Sequence, residues 1–197
     1  MNVLGADKRI VQQEIMNAAN KKFGNIYYKI NEGQLDLIML SLPGGTLGDW
    51  VAYAHGNGWM SVYNNLYCTS LSIQVHEVGH NFGLYHSGHN NKYDDLSGIM
   101  GYSSKSDESP LKCFNVAKSW QLGWYSDGHM TITPFELNSE KINSSGRLLG
   151  VAGYDLLDVT STNKVIVRII GYDVDYYVSF NVKKVLIQAQ EREAIKF

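Results

Sequence analysis

No stretch of this 197-residue chain carries the roughly 20 consecutive apolar residues that a membrane-crossing helix requires, so no helical membrane span is expected. Charge of one sign is scarce too: 17 Lys and Arg stand against 19 Asp and Glu, a formal net charge of -2, and no basic block occurs. Nucleic acid and anionic membranes are held by clusters of Lys and Arg, so neither is an expected partner. The first residues, MNVLGADKRIVQQEIMNAANKK, lack the long apolar core of a secretory signal and read as a helix. Two settings stay open: a cytosolic chain, or a mature or excised part of a longer secreted precursor. Cysteine is limited to Cys68 and Cys113. Either they are buried free thiols, or they form one disulfide closing a loop of about 45 residues. The loop-entropy model values such a bridge at roughly 3–4 kcal/mol. There is no internal repeat and no low-complexity tract.

What is present suits a globular α+β protein with a usable core: 44% of residues are hydrophobic and 12% aromatic, mostly tyrosine. Apolar residues at Ile10, Val11, Ile15, Ala18, Ala19 and Phe23 give helical spacing over Ala6 to Phe23, ended by Gly24. Ile26 to Ile30 and Leu35 to Leu42 read as strands, and Trp50 to Tyr63 as an edge strand or bent hairpin. Leu71 to Phe82 is helical again, with Leu71, Val75 and Val78 lining one side and Gly83 ending it. A loop of about 25 residues rich in Gly, Asn, Asp and Ser follows, long enough to suggest function. Pro110 after Ser109 then opens a helix reaching about Leu122. From Gly128 the texture becomes short β-type runs between turn residues. The division expected is therefore 1–127 and a small all-β region, 128–197. Asn143-Ser144-Ser145 forms an N-glycosylation acceptor pattern.

Four of the six histidines fall in VHEVGHNFGLYHSGHN, Val75 to Asn90. On a helix, His76 and His80 are one turn apart and share a face, so two imidazole nitrogens can reach one ion at the roughly 2.0–2.1 Å that zinc requires. Glu77 is rotated away from that ion but can reach a water bound to it, the HExxH arrangement in which glutamate is the general base. Gly83 permits the sharp exit that turns the chain back, placing His86 as third ligand. Three neutral ligands leave the open fourth position of a catalytic zinc. His89 reads as a rim residue, since a fourth protein ligand would close the site. His55 and His129 have no partner motif. Asp94 and Asp95 offer carboxylates for calcium, against the plainer reading of a solvated loop.

HEVGHNFGLYH extends the motif to HExxHxxGxxH, and here the chain resembles the metzincin metalloproteases. SGIMGY, Ser97 to Tyr102, matches their methionine turn, with Met100 forming an apolar floor under the imidazoles and not a ligand. Three segments, YNNLYCTSLSIQVHEVGHNFGLYHS, DDLSGIMGYS and SPLKCFNVAKSWQLGWY, are similar to the gametolysin family of secreted algal zinc endopeptidases, which act on extracellular-matrix and cell-wall glycoproteins. The likeness is firm over roughly Ser61 to Tyr125. It implies a metzincin-like (zincin) catalytic domain with a mixed sheet, a zinc-binding helix and a Met-turn. It also implies one zinc ion on His76, His80 and His86, with Glu77 as base and Tyr102 touching zinc or steadying the oxyanion. Pairing of Cys113 with Cys68 gains weight from secreted relatives in oxidising surroundings.

The function expected is zinc-dependent endoproteolysis of an extracellular glycoprotein by a secreted enzyme, the substrate lying extended along the Trp50–Tyr63 strand. Two rivals come from other classes. One is a zinc-containing binding or adhesion module without turnover, which the intact Glu77 argues against. The other is oxidation chemistry on another transition metal, which three histidines without a carboxylate ligand suit less well.

Overall fold

A computed structural model describes residues 3–88, 90–102, 112–134, 145–156, 162–180 and 194–196. His89, the Ser109–Pro110 helix start, Asn143 of the glycosylation pattern and the β-type run at 184–191 lie outside these residues. The chain divides into two compact units, Met1–Cys113 and Phe114–Phe197.

The first unit opens with α1 (Lys8–Phe23), where the Asp7 side chain accepts from Arg9 N and Gly24, at φ 86°, ends the helix. The strand expected at Ile26 to Ile30 is instead a short helix, α2 (Ile26–Asn31). Its β-branched and aromatic residues favour a strand, but Asn25 Oδ1 accepts from Tyr28 N at 3.1 Å and starts a helical turn. A mixed sheet of three strands follows: β1 (Ile38–Leu42), β2 (Ala52–Ala54) and β3 (Met60–Asn64). Its order is β1-β3-β2, with β3 parallel to β1 and antiparallel to β2. Strand residues alternate between faces. Val62 therefore joins Leu42 and Val11 of α1 in one core cluster. Ser61 and Tyr63, also buried, point the other way.

That other face receives α3 (Leu71–Asn81), whose Asn81 Nδ2 donates to the Met60 carbonyl at 3.2 Å. The buried side of α3 is not the one expected. Leu71 is 44% exposed, while Ser72, Ile73, His76, Glu77, Gly79 and Asn81 are buried. The helix turns its polar, chemistry-bearing face inward, a choice that apolar spacing cannot anticipate.

The second unit begins with α4 (Val116–Gln121), started by Asn115 Oδ1 accepting from Lys118 N at 3.0 Å. Residues 112–115 are not helical, so among the described residues the helix begins later than Pro110 would have it. The helix falls in the compact unit Phe114–Phe197. Trp120 stacks on His129 at 4.0 Å and meets Tyr177 at 5.8 Å. Strands β4 (His129–Ile132), β5 (Arg147–Leu149), β6 (Asn163–Lys164), β7 (Ile166–Ile169), β8 (Tyr176–Val178) and β9 (Ala194–Lys196) form two three-stranded sheets. Their orders are β4-β7-β8 and β6-β5-β9. Residues 151–156 form a 3-10 turn where strands were expected. Leu149, Val165 and Ile166 form the core, with Val116, Trp120 and Tyr154 against it. Among the described residues no helix is long and apolar enough to cross a membrane.

Candidate metal centre

Two imidazoles stand on α3 and the third beyond its end. His76 Nδ1 donates to the Ile99 carbonyl and His80 Nδ1 to the Leu84 carbonyl, both at 2.7 Å. Each bond fixes a tautomer and leaves Nε2 with its lone pair for a metal. The helix ends at Phe82, and Gly83 takes φ 81°. That conformation favours glycine, and an added Cβ would also displace the end of the Asn57 side chain. The chain then returns His86 to the helix face, its Nε2 3.1 Å from that of His80. Ring centroids lie 5.0 Å apart for His76 and His80, 5.2 Å for His76 and His86, and 4.7 Å for His80 and His86.

One nitrogen from each ring lies within 4.8 Å of the others, and this is the metal-capable group among the described residues. Tetrahedral zinc with bonds of roughly 2.0–2.1 Å separates its ligand nitrogens by about 3.3 Å, so the donor set fits such an ion with small ring adjustments. Glu77 is not part of the group. It is buried, with Oε2 unpartnered. Removal from water raises its carboxyl to about 7. An orphaned carboxylate oxygen inside a protein is costly, and this one belongs to the residue that follows His76 on α3. Burial also holds the His76 imidazole below its usual value, favouring the neutral form that binds metal.

The segment from Ser97 to Tyr102 meets the cluster through the Ile99 carbonyl, which accepts from His76 Nδ1. Met100 and Ile99 are buried, Ser87 N donates to the Met100 carbonyl at 2.9 Å, and Ile99 N donates to the Cys113 carbonyl at 2.9 Å. Asp95 Oδ1 shapes this turn by accepting from Ser97 N, Ser97 Oγ and Gly98 N. Asp94 Oδ2 accepts from Asn90 N and Asn91 N. The two aspartates considered for calcium therefore cap turns of the loop. Tyr102 is 58% exposed; its backbone carbonyl accepts from Lys112 Nζ at 2.8 Å, and that ammonium lies 5.5 Å from its ring.

Cys68 and Cys113 are both free thiols, so the pairing considered above is not made in this structure. The Cys68 sulfur is occupied near the end of β3, accepting from Ser41 Oγ at 3.2 Å and donating to the Asn65 carbonyl at 3.3 Å. Cys113 meets the metal loop through its backbone. His55 is exposed in the turn between β2 and β3, and His129 belongs to the second unit.

The model of the family described as Gametolysin peptidase M11 matches residues 11–189, most of the chain. The chain belongs to that peptidase family. Autolysin of Chlamydomonas reinhardtii is 31% identical over 121 residues, which cover 58% of this chain and 18% of that protein. The chain thus matches about a fifth of the length of this curated relative. No solved structure matches it.

Three contacts around the centre of this gametolysin-family chain escaped sequence reading. Asn57, at φ 55°, donates its N–H to the His80 carbonyl at 3.0 Å and so docks the β2–β3 turn onto the end of α3. Asn81 ties α3 to β3. Tyr93 lays its ring against His86, with centroids 4.5 Å apart. Positive φ at an Asn in GNG was a local signal for the first. Asn81 and Met60 are 21 residues apart, and Tyr93 reaches His86 across a loop; no motif marked either contact.

Proposed function

We propose that the first unit is a metzincin-type catalytic domain and that the protein is a zinc-dependent endopeptidase. One observation carries the reading: three imidazoles converge, two of them oriented by backbone carbonyls, and the glutamate next to His76 in the chain is buried with an Oε2 that has no protein partner. His76, His80 and His86 would hold the ion, and Met100 in its Met-turn would support them. Bound there, zinc would supply Lewis-acid activation of a water and polarisation of the scissile carbonyl. Glu77 accepts the proton of the attacking water and passes it to the leaving nitrogen, so that the hydroxyl stays on the carbonyl carbon and a carboxylic acid and an amine result. Its burial suits both halves of that transfer, because a carboxyl raised towards neutrality accepts and returns a proton readily. Tyr102, two residues past Met100, would steady the oxyanion through its hydroxyl.

Substrate would lie extended along β2, one of the two edge strands of the first sheet among the described residues. Asn57 fixes the turn of that strand to the helix bearing His76 and His80, which keeps any peptide paired with β2 in register with the ion. Membership of the gametolysin family supports an extracellular setting and a matrix or cell-wall glycoprotein as substrate.

The test is Glu77→Gln. The variant is expected to bind one zinc per chain as the parent does while losing cleavage of gelatin by roughly 10²–10⁴-fold. Gelatinolysis at the parent rate would remove Glu77 from the mechanism. Failure of the parent to retain zinc after dialysis would remove the metal.

A further inference from the structure

His86 differs from the other two imidazoles in its support. His76 and His80 sit on a helix, whereas His86 stands on irregular chain after Gly83 and is half-buried. The outer torsion of a histidine side chain is broad, so a neighbour packed on the face of the ring bears on where its nitrogens point. Tyr93 meets that ring with centroids 4.5 Å apart and planes inclined at 58°. The Lys92 ammonium lies 4.8 Å over the Tyr93 ring, a cation–π contact that helps hold it.

The loop presenting Tyr93 is closely built. Tyr93 N donates to Asn91 Oδ1 at 3.1 Å, and Asp94 N to the Asn91 carbonyl at 3.1 Å. Asp95 N donates to the Ser87 carbonyl, one residue past His86, at 3.2 Å, and Tyr102 N donates to the Asp95 carbonyl at 3.0 Å. A Cβ at Gly88 would overlap the Asn91 carbonyl oxygen, and one at Gly101 would overlap that of Asp95. The same ties join the turn carrying Tyr93 to Ser87 and to Tyr102.

We infer that Tyr93 is a positioning residue of the metal centre: its ring fixes the rotation of the His86 imidazole, so that Nε2 stays aimed at an ion shared with His76 and His80. This rests on the reading of the three histidines as a zinc site. The face of the aromatic ring supplies the restraint, and the hydroxyl is not needed for it. Groups that orient metal ligands from behind commonly change affinity by about 10–100-fold when removed.

The test compares Tyr93→Phe, Tyr93→Leu and Tyr93→Ala with the parent. Zinc affinity is measured by competition with a chromophoric chelator, and the visible d–d spectrum is recorded for the cobalt-substituted proteins. Tyr93→Phe is expected to match the parent in both. Tyr93→Leu and Tyr93→Ala are expected to lose about tenfold in affinity and to shift the cobalt bands, because the geometry of one ligand relaxes. If Tyr93→Ala does not fold, the contrast between Leu and Phe decides. Leu and Ala variants with parental affinity and spectrum would overturn the inference. So would a Phe variant as impaired as the Ala variant, or variants of lower thermal stability with an unchanged cobalt spectrum. A parent protein that binds zinc no better than His80→Ala would instead overturn the metal reading itself, and this inference with it.

Discussion

The two units treat buried polar groups differently. In the first, Thr46, Ser61, Ser70, Ser72, His76, Glu77, Asn81 and Ser87 are buried; in the second, among the described residues, Ser119 is. The buried side-chain atoms without a partner, Asn64 Oδ1, Glu77 Oε2 and Asn81 Oδ1, also fall in the first unit. The second unit is built from aromatic stacking over an aliphatic centre. Its polar pairs, such as Tyr154 with Asp127 and Arg168 with Asp175, are more open to water. A fold with no chemistry to perform minimises orphaned polar atoms, since each costs free energy. Two of the three such atoms named for the first unit, on Glu77 and Asn81, stand on α3, and the third, on Asn64, ends β3.

The sharpest way to break this comparison is to remove one ligand from the first unit. His80→Ala is expected to weaken zinc binding by roughly 10²–10³-fold, taking an even share of the binding energy of small zinc sites per ligand, and to abolish proteolysis. Isothermal titration with zinc and a casein assay would check both, and near-parental affinity would show that the cluster is not the site. The matching change in the second unit is Trp120→Ala, which removes the stack on His129 and the contact with Tyr177. It is expected to destabilise by about 2–4 kcal/mol with zinc affinity unchanged, measured by urea unfolding and chelator competition.

A third test uses pH on the metal-free protein. Glu77 is raised from 4.5 to about 7 by burial, so the folded state keeps its proton where the unfolded state releases it. Stability from this group is full below about pH 4.5 and is lost as pH rises to about 7, on the order of 3 kcal/mol at most. His76 is depressed and contributes the opposite slope, losing stability as pH falls below about 6.5. Comparison with Glu77→Gln isolates the glutamate: the variant should lack the decline between pH 4.5 and 7 in chelator-treated samples. Parallel curves for the two proteins would mean that Glu77 is hydrated. The smallest effect expected is that of Tyr102→Phe, a loss of about tenfold in kcat, or 1.4 kcal/mol, with zinc content unchanged. An unaltered kcat would leave Tyr102 as a surface residue beside the turn.

Much of the centre was legible in the chain because its logic is local. His76, Glu77 and His80 obtain their relative placement from the pitch of one helix, and Gly83 brings His86 back within six residues. The helix Lys8–Phe23, the helix Leu71–Asn81 and the β2–β3 hairpin followed from periodicity and turn residues. Where reading failed, a single side-chain bond or a distant surface had outweighed local pattern. Asn25 made a helix of Ile26–Asn31 despite its strand-like composition. Asn115 started α4 past the proline that had seemed to open it. Leu71 was left in solvent because the sheet took the polar side of its helix.

By itself the sequence determined which atoms can bind a metal and how far apart along a helix they stand, since repeat and spacing are properties of contiguous chain. Only the tertiary structure decided that Glu77 is dry, that the Ile99 and Leu84 carbonyls orient two of the rings, and that Tyr93 closes on the third. The burial of Glu77 and the Ile99 bond to His76 need segments that only folding brings together, while Leu84 and Tyr93 reach their rings through backbone turns that residue spacing does not encode.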